Sequence, residues 1–379
     1  MPKRPMNDSP LPVTFVLRNL ERDWPDIESL TEVDVDRAPH RFQGGRNSWI
    51  AQGYVRLRES LERRGHAVKV AARIPDEGIA IVHRDDANDW RAVRAGAFLV
   101  VVRADRAPVL ACDLAIAQNG TALRRNERFV PLWPQPGLLP RDEARGPRLS
   151  RLVYQGRGAK LPAWTRSRAF TSALAARGIA FEARESGWGD YRTADIALAA
   201  REDSATMLAT KPATKVVNAW LAGVPLLATR EPAYDEVRRT ARDFIAVWSA
   251  GDAIAAIDRL RASPDLVSAI VRNGRERARE FDVEAVRAKW LSLIDEVIVP
   301  ALRSGATKSG IARRAGNLGA YVAQKLASRA FKARVGVERW WMFSPLSPAA
   351  RLRSARRRFA AIRLPDPAAT AAGPESTFR

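Results

Sequence analysis

A single cysteine, Cys112, excludes a disulfide framework, and its neighbours Leu110, Ala111 and Leu114 make it read as an ordinary buried thiol. No uninterrupted apolar stretch approaches the ~18 residues that a membrane span needs. Lys3 and Arg4 are followed by no apolar segment, so neither a signal peptide nor a spanning helix is expected. A reducing, cytosolic setting is expected, in which the sequon-like Asn119-Gly-Thr121 has no glycan to carry. Only three histidines occur. With no Cys/His cluster, no Walker loop and no DxD in the right strand context, neither a metal centre nor ATP hydrolysis is expected, and no cofactor is called for.

Acidic residues are also scarce relative to basic ones. The 379 residues carry a formal net charge of +21. Residues 301–379 hold 16 Lys and Arg against 3 Asp and Glu, so the tail alone supplies +13. Such a segment seeks a polyanion, and with "RWWMFSP" and "RLRSARRRFAAIR" beside it the expected partner is an anionic membrane surface rather than nucleic acid. Within 310–330 the apolar spacing of Leu318, Val322 and Leu326 is interrupted by Lys325 and Arg329 in the same sector. The last dozen residues read as disordered.

The length suits two domains of roughly 150 residues and an extension. Short β-branched runs at 13–17, 67–72, 79–82, 97–102 and 113–117 alternate with longer segments. Gly44-Gly45-Arg46 opens a helix through 48–64 that Gly65 stops. Prolines at 131, 134, 136, 140 and 147 place a hinge over 136–149. A second series comes next, led by "RLVYQGRG", with strands at "IAFEA", "DIALAA", "VPLLA" and "FIAVW" and helices filling most of 251–299. The pattern predicts an α/β protein of two Rossmann-like domains, 1–135 and 150–300, facing each other across a cleft, plus the basic extension.

Ligands of such sheets sit beyond the carboxyl ends of the strands. In the first half this singles out Gly44, Gly45 and Arg46, then His83 after "IAIV", then Arg103 and Asp105 after "AFLVVV". His83 is the expected general base, because histidine titrates near neutrality. Asp105, between two arginines, is either a base of lowered pKa or the centre of an ion-pair cluster. In the second half Lys211 and Lys215 flank Pro212 ahead of the apolar face Val216, Val217, Trp220 and Leu221. Lysines are disfavoured at a helix start, by ~0.3–1 kcal/mol each, unless an anion compensates, so a phosphate or diphosphate is expected there. Trp188 and Gly189 lie in a loop suited to stacking a base.

"KPATKVVNAWLAGVPLLATREPAYDE", residues 211–236, resembles the carboxyl-domain signature of group 1 glycosyltransferases of the GT-B fold, commonly "lEAmA.G.PVia". "LWPQPGLLPR" and "RGHAVKV" resemble that group too, and the likeness extends over roughly 13–300. It implies transfer of a sugar from a nucleotide diphosphate sugar to an acceptor hydroxyl, without metal. The acceptor could be a glycan, a lipid-linked molecule or a small molecule. It also implies Arg157 and Lys160 as approximations of the family's diphosphate turn, Asn218 at the ribose and Glu231 near the donor sugar. Many retaining members have two glutamates where this chain has Thr210 and Asn218, so the stereochemical course stays open. Two rival readings remain: a glycosyltransferase-like binding protein without chemistry, and a nucleotide-sugar epimerase on the same fold.

Overall fold

In the computed structural model, residues 10–87, 96–304 and 310–344 are described. The first unit is a six-stranded parallel sheet of β1 (Pro12–Val16), β2 (Ala67–Ala71), β3 (Ile79–His83), β4 (Phe98–Val102), β5 (Leu114–Ala117) and β6 (Glu127–Phe129), in the order β2-β1-β3-β4-β5-β6. The second is a five-stranded parallel sheet of β7 (Arg151–Gln155), β8 (Ala180–Arg184), β9 (Ile196–Ala199), β10 (Leu226–Ala228) and β11 (Ile245–Ala246), in the order β11-β10-β9-β7-β8. The central strands "IAIVH", "FLVVV" and "LAIA" are buried at every residue, as parallel strands covered on both faces must be.

The helices that cover the sheets and join the units include α1 (Gln52–Glu62), α2 (Arg168–Ala175), α3 (Thr214–Ala222), α4 (Ala250–Ala262), α5 (Pro264–Ala278), α6 (Val283–Leu293) and α7 (Gly310–Phe343). A π-helical turn over Asn47–Ala51 leads into α1, which buries Tyr54, Val55, Leu57 and Leu61 against the first sheet. α3 packs on α5 and ends at Gly223, whose left-handed φ of +66° closes the helix and turns the chain into β10.

Three boundaries differ from expectation. α3 begins at Thr214, so Lys211 and Pro212 belong to the loop before it rather than to its first turn. β6 completes the first sheet at 127–129, where the sequence pattern announces no strand ahead of the hinge. The chain also returns to the first unit before residue 300. Val286, Trp290, Leu291, Ile294 and Ile298 join the core built by Val13, Phe15, Trp49, Tyr54 and Trp133. Apolar spacing shows that α6 has a buried face but not which sheet receives it, and this assigns 283–303 to the first core instead of the second.

The extension is also more ordered than its broken stripe suggests. α7 lies across both units by polar contacts on one face. The Gln324 side-chain oxygen accepts from the Leu110 and Ala111 N–H groups at 2.9 and 3.1 Å, and Arg84 donates to Ser328 at 3.1 Å. Glu338 accepts from the backbone and hydroxyl of Thr206, and Arg339 donates to Asp203 at 2.8 Å. The "RLRSARRRFAAIR" motif and the last dozen residues lie outside the described residues.

Candidate functional site

The carboxyl ends of the two sheets face each other across a cleft of about 630 Å³. The first unit contributes Gly44 and Gly45 from the turn before α1, Asp105 and Arg106 beyond β4, and Gln118 beyond β5. The second contributes Gln155, Gly156, Arg157 and Lys160 around the end of β7, Trp188 from the loop after β8, Arg201 and Asp203 beyond β9, Lys211 from the loop before α3, and Thr214, Lys215 and Asn218 from α3 itself. Arg106, Arg157, Lys160, Arg201, Lys211 and Lys215 face two carboxylates, Asp105 and Asp203. The excess of cations gives the cleft a positive lining that suits an anion.

The units are also joined beneath this space. Gln118 donates to the Thr210 carbonyl at 3.1 Å, Asn119 to the Lys211 carbonyl at 3.2 Å, and the Gly120 N–H to Glu236 at 2.9 Å. The segment that carries Lys211 is thereby fixed to the first unit through its backbone. Asn119 supplies one of the bonds that hold it.

Lys215 sits at the floor. Its Nζ donates to the Gln155 carbonyl and lies 4.0 Å from the centroid of the Tyr154 ring. Gly156, at φ +148°, passes over it so closely that a Cβ at 156 would stand 2.7 Å from Nζ. Burial, and then Arg201, push the Lys215 ammonium down to about 7, against the pull of Glu231. Arg201 donates to the Tyr234 hydroxyl at 3.0 Å, and its Nε is 3.2 Å from Glu231. Burial opposes the Arg201 charge, but Tyr234 and Glu231 outweigh it and hold its pKa above the usual range. Glu231 is 1% exposed, behind Arg201, and its carboxyl is pushed up to about 7 by burial against Arg201 and Lys215. It caps the layer under the cleft rather than lining it.

Four cleft-lining residues hold a buried polar side-chain atom without a hydrogen-bond partner: Gln155 Oε1, Trp188 Nε1, Thr214 Oγ1 and Asn218 Oδ1. Buried polar atoms are ordinarily paired, because an orphan costs ~1–3 kcal/mol. Four on one wall, from three separate segments, mark a surface shaped for a polar ligand.

The remaining expected residues divide. Lys160 pairs with Asp203 at 3.0 Å, which Arg339 of α7 also grips; burial opposes this charge, but the two cations hold the Asp203 carboxyl at about 2. Asp105 pairs with Lys211 of the other unit and with Arg106. Burial would raise its pKa, yet Lys211 and Arg106 keep it below the usual range. His83 is 1% exposed under the glycine turn, with its ring 3.8 Å from where a Gly45 Cβ would be and its Nδ1 accepting from the Asp85 N–H. Burial lowers its pKa, and it does not line the cleft. Arg46 is bound bidentately by Asp86 at 2.6 and 2.7 Å, and Arg103 by Glu127 at 2.9 Å. Neither reaches the cleft wall. Arg201 and Gln118 line it without having been expected to. The strand-end rule, extended from β3 and β4 to β5 and β9, points to both.

No curated protein sequence matches the chain. Residues 166–291 match the family described as glycosyl transferase-like. Similar solved structures include AviGT4, a glycosyltransferase involved in avilamycin A biosynthesis, at 14% identity over 78% of this chain and 99% of that one, TM-score 0.48. Sucrose-phosphate synthase from Thermosynechococcus elongatus shares 12% identity over 76% of this chain and 100% of its own, TM-score 0.47. HepE of Anabaena, solved with UDP-glucose, shares 11% over 76% and 100%, TM-score 0.42. The segment similar to that family contains α3, Lys211 and Lys215, and the two parallel sheets face each other as two Rossmann-like units.

Proposed function

We propose that this protein transfers a sugar from a nucleotide diphosphate sugar to an acceptor hydroxyl. The observation that carries the reading is the second-unit wall of the cleft, which Arg157, Arg201 and Lys215 line together with the orphaned polar atoms of Gln155, Thr214 and Asn218. The cations suit a diphosphate, the amides suit ribose and sugar hydroxyls, and Trp188 offers an indole to a base. The first helical turn of α3 adds backbone N–H groups that have no partner within the helix. Charge that builds on the leaving diphosphate is met by these side chains, without a metal in the proposal. Fixed charges of this kind act where charge develops and form the largest catalytic contribution in many enzymes.

Peripheral attachment to an anionic membrane surface through residues 301–379 belongs to the same proposal. α7 turns its polar face to both units and leaves Val322, Leu326, Trp340 and Trp341 50–58% exposed. Lys325, Arg329 and Lys332 accompany them on the helix. No helix among the described residues is long and apolar enough to cross a membrane. A lipid-linked acceptor suits such a surface.

Product analysis tests the reaction. Incubation with a panel of nucleotide sugars and an extract of lipid-linked and free glycans should release one nucleoside diphosphate in step with a new glycoside. An altered sugar nucleotide would instead indicate epimerisation, and neither product would leave a binding protein.

A further inference from the structure

Asp105 stands on the one non-glycine residue with positive φ among the described residues, Ala104 at +51° and 6% exposed. Backbone in that region is strained for any residue with a Cβ, and it persists where the surroundings enforce it. Here it carries the carboxylate off the end of β4 and into the cleft. The carboxylate then meets Lys211 from the opposite unit, while Arg106 holds its other side at 2.7 Å and is itself tied to Asp85 at 3.0 Å. The Lys211 backbone is anchored by Asn119, so its side chain can change direction while the main chain stays in place. Both Lys211 and Asp105 line the same space as Gly156, Thr214 and Lys215.

We propose that Lys211 changes partner during the cycle, pairing with Asp105 in the empty cleft and with the donor diphosphate once it binds, which frees Asp105 to take the acceptor's proton. This rests on the reading of the cleft as a nucleotide diphosphate site. In the step itself the acceptor oxygen bonds to the anomeric carbon, and its proton passes to the Asp105 carboxylate. The bond from that carbon to the diphosphate oxygen breaks, and its electron pair leaves with the diphosphate beside Lys211. While Lys211 and Arg106 both hold Asp105, the carboxylate is a weak base. Donor binding removes one of the two cations, so the acceptor is deprotonated only when a donor is in place.

Binding of ADP, CDP, GDP, UDP and dTDP to the full chain, measured by calorimetry on wild type, Asp105→Asn, Lys211→Ala and the double variant, tests the exchange. The nucleotide that binds wild type should bind Asp105→Asn about tenfold more tightly, because Lys211 no longer has a competing partner. That gain should vanish in the Lys211→Ala background. Release of the diphosphate from the matching nucleotide sugar, with water as acceptor, should fall about 100-fold or more in Asp105→Asn. Tighter binding with slower turnover is a combination that general damage to the site does not produce. No gain in affinity, or a gain that survives without Lys211 as simple relief of like-charge repulsion, overturns the exchange and leaves the nucleotide site standing. Failure of all five nucleotides to bind wild type overturns the site and the exchange together. The Asp105 side chain is 28% exposed, and asparagine is its isostere; Asp105→Ser repeats the comparison should melting show that the amide is not accommodated.

Discussion

In the proposed donor site Lys215 is the decisive residue, because its charge is available to a diphosphate only if it is protonated. Burial holds its folded pKa near 7. A bound diphosphate favours the ammonium, so binding above pH 7 should take up a proton. Affinity for the diphosphate nucleotide should then fall as pH rises from 7 towards 9, by up to about tenfold per unit. Calorimetry in buffers of different ionisation enthalpy reads that proton directly, and a flat affinity from pH 6.5 to 8.5 would refute it. Gly156→Ala gives a second test at this scale. A Cβ at 156 meets Lys215 Nζ at 2.7 Å and the Tyr154 hydroxyl at 3.1 Å, and a φ of +148° strains any residue that carries one, so the lysine must move and the melting temperature should fall as well. Diphosphate affinity should fall about tenfold, as expected for loss of a charged hydrogen bond, with little further loss when Lys215→Met is already present. The position of Lys215 in the first turn of α3, where a helix dipole disfavours it, is legible from sequence. His83, Arg46 and Arg103 are singled out by the strand-end rule, which finds the right end of a sheet but not the direction of a side chain. His83 is still within β3 and points under Gly45, and Arg103 is claimed by Glu127 on a strand that the sequence does not announce.

At the scale of elements, periodicity locates the buried strands and α3 closely, because a parallel strand covered on both faces is a run of apolar residues and Gly223 is needed for its left-handed φ. For α7 the same method reports the broken stripe but not the polar contacts that hold the helix. Its stripe reads as interrupted when all of its contacts are supposed apolar, whereas the inward face is held by Gln324, Glu338 and Arg339 with Val335, and Leu318, Val322 and Leu326 are exposed. An outward apolar stripe beside cations is the arrangement of an interfacial helix. Val322→Asp with Leu326→Asp should therefore lower sedimentation with vesicles of one part anionic to three parts neutral lipid, with the melting temperature retained. Wild type should bind neutral vesicles more weakly and lose binding in high salt. Equal sedimentation of wild type and variant would remove α7 from any membrane role.

In the whole molecule, the two units are not independent. α6 lies after the second sheet in sequence but contributes Trp290, 1% exposed, to the first unit's core, while the loop at 118–120 and α7 tie the units on either side of the cleft. Trp290→Ala should cost ~3–5 kcal/mol, the range for truncating a buried aromatic, read as a lower denaturant midpoint for the whole chain. The two-unit architecture can be read from the repeated strand pattern and the run of prolines, but the return of α6 cannot, since it depends on which sheet accepts its apolar face. The space between these units is where the donor diphosphate is proposed to sit. Calorimetric titration of wild type and Lys215→Met with the five nucleoside diphosphates and their parent nucleosides tests it most directly. One base should bind as its diphosphate about tenfold or more tightly than as its nucleoside, and Lys215→Met should abolish most of that difference while the nucleoside is unaffected. Equal affinity of nucleoside and diphosphate for wild type, or a preference that Lys215→Met leaves intact, would contradict a diphosphate held at the start of α3.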